Sequence, residues 1–185
     1  MHALITTLFA VLVTAPVVAA QVVGVKSEDK ARVGGQELVL NGAGVRTRAI
    51  FKVYVGSLYL PARTANPQGA LAAGPRRIQL NLLRTLSADQ LVDALVDGLK
   101  ANATPQELEA VKAQTAELVT IMKMFGEVKE KDVVTIDFAD GATKIALNGA
   151  AKGVIAGEAF NRALTKVWLG ENPVQADLKK AMLGN

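Results

Sequence analysis

The order of the hydrophobic periodicities is what most constrains this chain. Period-two stretches come first, helical stripes occupy the middle, a hairpin follows, and helices close the sequence. A parallel doubly wound sheet needs strand and helix to alternate; this order predicts an α+β fold instead. Residues 36–40 read as a strand that ends at the turn signal Asn41-Gly42. Residues 49–60 are rich in Val, Ile, Phe and Tyr. The partial alternation there puts Phe51, Val53 and Val55 on one face, with Lys52 and Tyr54 on the other. Residues 61–75 hold three prolines and two glycines and read as loop, before another strand over 77–84.

Two helices announce their starts. In Ser87-Ala88-Asp89-Gln90 the serine hydroxyl is placed to cap the Gln90 amide, and Leu91, Leu95 and Leu99 then recur at helical spacing. Thr104-Pro105-Gln106-Glu107 joins a capping threonine to a proline in the first helical position. Leu108, Val111, Leu118, Met122 and Phe125 form the stripe behind it, and Gly126 ends it. Residues 133–139 and 142–148 flank Asp140-Gly141, a preferred two-residue hairpin turn. A short strand over 153–156 is expected next, then a helix over 158–169 stopped by Gly170. Asn172-Pro173 should open a last helix running to about Met182.

Composition narrows the function classes. The first twenty residues contain no Lys, Arg, Asp or Glu, and the segment closes on Val18-Ala19-Ala20 before Gln21. This predicts an export signal over residues 1–20 and one domain over 21–185, in the periplasm or secreted. Once the signal is removed, no further apolar run is long enough to span a membrane, so no stable membrane span is expected. The formal +4 charge is spread among alternating cations and anions, which argues against nucleic acid as a partner. There is no cysteine, and the only histidine is His2, inside the export segment. Disulfides, Ser-His-Asp and Cys-His catalysis, a zinc site and a histidine pH switch are thereby excluded from the mature domain. No cofactor and no metal site is expected.

Few residues remain as carriers of chemistry. Gly42-Ala43-Gly44-Val45-Arg46-Thr47 begins like a dinucleotide fingerprint, but it lacks the third glycine and leads into a strand. Phosphate cradling needs a helix N-terminus, so the segment reads as a glycine-rich turn. Arg46 and Arg48 serve either as surface residues or as guanidinium groups aimed into a cleft, where one would pair bidentately with a carboxylate or enolate. Tyr54 follows Arg46 by eight residues, and a phenol beside a guanidinium would make a two-point anion clamp. Asp93 and Asp97 share a helix face and read as solvated carboxylates, and Trp168 reads as core.

Three segments in order resemble the exported bacterial branch of the chalcone isomerase-like proteins. They are Leu40-Asn41-Gly42-Ala43-Gly44-Val45-Arg46, the run from Phe51 to Pro61, and Trp168-Leu169-Gly170-Glu171-Asn172-Pro173-Val174 with Asp177-Leu178-Lys179. The resemblance covers roughly residues 35–183. It implies an open-faced β-sandwich: a large antiparallel sheet with helices packed on it and a cleft between them. The isomerases of that family use an arginine that Arg46 matches. Where they use a strand threonine, a helix tyrosine and asparagine, and a C-terminal serine or threonine, this chain has Tyr54, Gln90, Asp97 and Val167. The family's fatty-acid-binding relatives hold the ligand carboxylate with the same arginine and a strand tyrosine, which Arg46 and Tyr54 resemble.

Three functions follow as expectations. The first is a non-catalytic binder of a fatty acid or similar small apolar carboxylate, anchored by Arg46 and Tyr54. The second is an isomerase (an intramolecular lyase) acting on a chalcone-like unsaturated ketone, with Arg46 stabilising negative oxygen. The third is an interaction module of the cell envelope whose cleft is filled by its own side chains. An unpaired Arg46 inside an apolar cleft argues against the third; Arg46 satisfied by a local carboxylate favours it.

Overall fold

The computed structural model describes residues 21–72 and 74–185. The expected export signal therefore lies outside the described residues. The strands are β1 (Gln21–Val22), β2 (Val25–Lys26), β3 (Lys30–Val33), β4 (Gln36–Arg48), β5 (Phe51–Leu60), β6 (Arg76–Leu82), β7 (Leu86–Ser87), β8 (Glu127–Val128), β9 (Val133–Ala139), β10 (Ala142–Leu147) and β11 (Ala150–Ala156). The helices are α1 (Pro67–Ala72), α2 (Ala88–Asn102), α3 (Pro105–Ala110), α4 (Lys112–Lys123), α5 (Glu158–Leu169) and α6 (Ala176–Met182). Seven strands form one antiparallel sheet in the order β11-β10-β9-β6-β5-β4-β3, and helices pack on it. The fold is α+β.

Period-two burial sets the two faces. On β6 the buried Ile78, Leu80 and Leu82 face the helices, as do Val134, Ile136 and Phe138 on β9. Leu91, Leu95 and Leu99 of α2 meet them, together with Leu118 and Met122 of α4 and Phe160, Leu164 and Trp168 of α5. The opposite face carries a smaller cluster of Val33, Leu38, Leu40, Tyr59 and Ala139. One cation enters the main core. Arg76 donates from Nε to Thr165 Oγ1 at 2.9 Å and from Nη1 to the Gly74 carbonyl at 3.2 Å, with its guanidinium 4.6 Å from the Phe138 ring centre. Burial lowers its proton affinity, and polar and aromatic neighbours hold it in place of a carboxylate.

The capping signals are realised as read. Ser87 Oγ accepts from the Gln90 amide while Gln90 Oε1 accepts from the Ser87 amide. Thr104 and Glu107 make the same reciprocal pair. Asp140 and Gly141 both have positive φ, 54° and 68°, as a tight two-residue hairpin turn requires.

Elsewhere the structure departs from the sequence reading. Residues 67–72 form helix α1 within the segment read as loop, with Asn66 Oδ1 accepting from the Gln68 amide at its start. The helix expected from Pro105 onward breaks at Val111 into α3 and α4. The strand expected over 153–156 begins three residues earlier, at Ala150, and the last helix begins at Ala176, not at Pro173.

Asn41-Gly42 is not a turn. β4 runs through it with a bulge, since Leu40 pairs with Tyr59 and Gly42 already pairs with Leu58. The Asn41 side chain grips its surroundings from that bulge. Its Nδ2 donates to the Met182 carbonyl at 2.8 Å and the Thr64 carbonyl at 3.1 Å, while its Oδ1 accepts from the Thr64 amide at 2.7 Å. Gly42 and Gly44 are likewise no turn. They lie mid-strand under α6, where a Cβ on Gly42 would overlap the Ala181 carbonyl oxygen and one on Gly44 would come within 2.6 Å of the Ala181 Cβ.

Candidate functional site

Two bulges aim the site. An extra residue in a strand reverses which side chains face which way. Before Asn41, Leu38 and Leu40 point away from the helices, with Tyr59. After it, Gly42, Gly44 and Arg46 stand opposite Leu58, Gly56 and Tyr54, on the helix side. A second bulge falls at Val53, because Arg46 pairs with Tyr54 and Thr47 with Lys52. It carries Phe51 onto the Tyr54 side and Lys52 off it. The face assignment read from the sequence, with Tyr54 and Lys52 together and Phe51 opposite, is corrected here. Phe51, Val53 and Tyr54 all line one cleft, and Lys52 does not.

That cleft has a volume of about 890 Å³ and lies between the sheet and helices α2 and α5. Leu80, Leu91, Leu95, Met122, Ile136 and Val167 make its apolar walls. Its polar groups divide by side. Arg46, Arg48 and Arg84 belong to the sheet side, whereas Gln90, Asp93 and Asp97 belong to α2. All five positions that the resemblance singled out, Arg46, Tyr54, Gln90, Asp97 and Val167, therefore meet at one cleft. The rim over 172–174 is stapled to the end of α2. Asn102 Nδ2 donates to the Asn172 carbonyl at 2.7 Å, and the Asn172 amide donates back to Asn102 Oδ1 at 3.0 Å.

Arg46 and Tyr54 are cross-strand partners, which brings their Cβ atoms to roughly 5 Å. Arg46 Nη1 donates to the Thr47 carbonyl and, at 3.2 Å, to Gln175 Oε1. The same Gln175 oxygen accepts from the Thr47 amide at 2.7 Å. Among the described residues no carboxylate pairs with Arg46, and its Nε and Nη2 donors meet no acceptor. Trp168 Nε1 donates to the Tyr54 oxygen at 3.0 Å. The phenol thus serves as an acceptor inside the protein, and its own proton meets no acceptor among the described residues. Burial pushes the Tyr54 pKa up to about 12, against smaller opposing effects of the Trp168 hydrogen bond and the Arg46 charge. Tyr54 is a neutral donor at any physiological pH.

The remaining candidates separate cleanly. Gln90 lines the cleft, but its amide oxygen is engaged in the α2 cap. Asp93 and Asp97 are exposed along the α2 lip. Val167 has no polar atom to offer, and its methyl carbon would meet a Cβ on Gly98 at 2.6 Å, so that glycine lets α2 and α5 approach. Gln175 and Trp168 were missed as site residues. Trp168 read as core because it stands among apolar neighbours, and it is indeed buried. Gln175 carries no local signal; its role exists only once α6 packs on β4. Among the described residues no group of three or more His, Cys, Asp or Glu side chains is placed to hold a metal, and no helix is long and apolar enough to cross a membrane.

Comparison with known proteins agrees with this architecture. Among solved structures, a fatty-acid binding protein of Arabidopsis thaliana is similar with a TM-score of 0.69 at 13% identity, over 86% of this chain and 92% of that one. At that identity the likeness establishes the fold. No curated protein matches the chain in sequence. The sequence profile described as chalcone isomerase-like matches residues 19–184, nearly the whole chain, and with the sheet, the helices over it and the cleft between them the protein belongs to the chalcone isomerase-like family.

Proposed function

We propose that the protein is a non-catalytic periplasmic binder of a fatty acid or a similar apolar carboxylate. The carrying observation is the pair of unspent donors at the cleft: an Arg46 guanidinium without a carboxylate, beside a Tyr54 hydroxyl that Trp168 holds with its proton free. Such a pair is complementary to a carboxylate. The apolar walls suit a hydrocarbon tail, and about 890 Å³ falls within the roughly 300–1,000 Å³ usual for ligand sites. The solved relative of the same fold is itself a fatty-acid binding protein, which favours this ligand class.

Magnitudes put the tail ahead of the clamp. Ten methylenes contribute ~8 kcal/mol at ~0.8 each. A charge-assisted hydrogen bond adds ~2 kcal/mol, and association costs at least ~4. The balance of ~6 kcal/mol corresponds to a Kd in roughly the tens of micromolar. An isomerase would need polar groups to position its substrate. Val167 supplies none and Gln90 spends its oxygen on a helix cap, so the site favours holding over turnover. Arg46 without a carboxylate at an apolar cleft also speaks against the interaction module.

Native mass spectrometry on protein isolated from its own envelope tests the reading. We expect a bound fatty acid in the wild type, and its loss or an at least roughly tenfold weaker complex in Arg46→Ala, with an unchanged circular dichroism spectrum. A ligand-free protein that takes up no added fatty acid would sink the assignment. Chalcone cyclisation abolished in Arg46→Ala would replace it with the isomerase.

A further inference from the structure

The hairpin that carries Arg46 and Tyr54 ends in a tip with a chemistry of its own. Arg48 pairs with Phe51, leaving Ala49 and Ile50 as a tight turn with Ala49 at φ 52°. Ile50 is 86% exposed and Phe51 52%. Large exposed hydrophobic side chains are few among the described residues, and these are the only two adjacent in sequence. Cations surround them. Arg48 and Lys52 flank the turn, and the Arg84 guanidinium lies 4.7 Å from the Phe51 ring centre. None of the three is in an ion pair among the described residues.

A stable protein partner needs roughly 800 Å² of contact surface, far more than two side chains at a turn present. A protruding apolar tip ringed by cations suits a different partner. Its apolar side chains enter the headgroup region of a bilayer while the cations meet anionic headgroups. Arg48, Ala49, Phe51 and Arg84 also line the cleft, so the tip and the cleft mouth are one surface. The carboxylates of Asp93 and Asp97 stand on the α2 lip, where an anionic surface repels them and leaves the sheet lip as the docking edge. We propose that the β4–β5 tip docks on an anionic lipid bilayer, so that the cleft exchanges its ligand at the membrane surface. The exchange step rests on the fatty-acid reading of the cleft; the docking step rests on the tip.

The test is co-sedimentation of the processed, periplasm-recovered protein with phosphatidylglycerol–phosphatidylcholine vesicles and with phosphatidylcholine vesicles alone. Fatty-acid uptake in vesicle-free solution is measured in parallel. Binding to the anionic vesicles, falling as salt rises, is the expected result. Ile50→Asp should abolish it, and Lys52→Glu should lower it about fivefold or more. Neither variant should change uptake in solution, because neither side chain lines the cleft. No sedimentation, equal binding to both vesicle types, or binding that Ile50→Asp leaves intact overturns the docking even where solution uptake is normal. Wild-type protein that takes up no fatty acid in solution overturns the ligand reading, and with it the exchange step, whatever the vesicles show.

Discussion

Tyr54 and Tyr59 are the only tyrosines, and the sheet puts them on opposite faces. Burial holds the pKa of each at about 12, where an exposed phenol ionises near 10. A folded-state pKa raised above the unfolded one stabilises fully below pH 10, and that stability is lost as pH rises through 12. For Tyr54, which is buried, a shift of that size corresponds to a loss of roughly 3 kcal/mol. Tyrosinate absorbance of the folded protein should therefore stay flat through pH 10, where the denatured chain is half ionised. In a Tyr59→Phe variant the whole signal belongs to Tyr54. A folded-state midpoint near 10 in that variant would show that Tyr54 is open to solvent and would refute its burial. The proposed pair, Arg46 and Tyr54, was picked out from its eight-residue spacing and the family resemblance. Their supports, Gln175 and Trp168, were not, because each reaches its partner across more than a hundred residues of sequence.

At the scale of elements, local signals performed well where the chemistry is local. Ser87, Thr104 and Asp140-Gly141 each act within four residues, and each does what its spacing indicates. The glycine-rich stretch fails that test because its reason is distant. Gly42 looks like a turn residue, yet it is glycine because the end of α6 lies directly on it. A Cβ there would overlap the Ala181 carbonyl oxygen and sit 2.9 Å from the Gly184 nitrogen, backbone atoms that cannot rotate aside. Gly42→Ala should cost about 1–3 kcal/mol or more, read as a lowered melting temperature. Gly56→Ala is the control. Its Cβ would meet the Tyr54 ring at 3.3 Å and the ends of Leu178 and Met182 at 3.4 and 3.6 Å, side chains that can yield. Equal melting temperatures for the two variants would refute the backbone-contact account.

For the molecule as a whole, the proposed export carries its own prediction. Protein isolated from the periplasm should begin at Gln21 by N-terminal mass analysis, and a chain that retains residues 1–20 and stays in the cytoplasm would refute it. With no cysteine available, the fold rests on its core and a few buried polar contacts such as those of Arg76 and Asn41. The sequence by itself determined the α+β class, the helix caps, the hairpin and the lack of any disulfide. Each of these depends on residue type or on contacts a few positions apart. Only the tertiary structure decided which way Arg46 and Tyr54 face. Side-chain direction in a strand has a period of two, so one inserted residue reverses everything beyond it. The bulges at Asn41 and Val53 each do so, and the first lies where α6 and the 61–66 loop pack against β4.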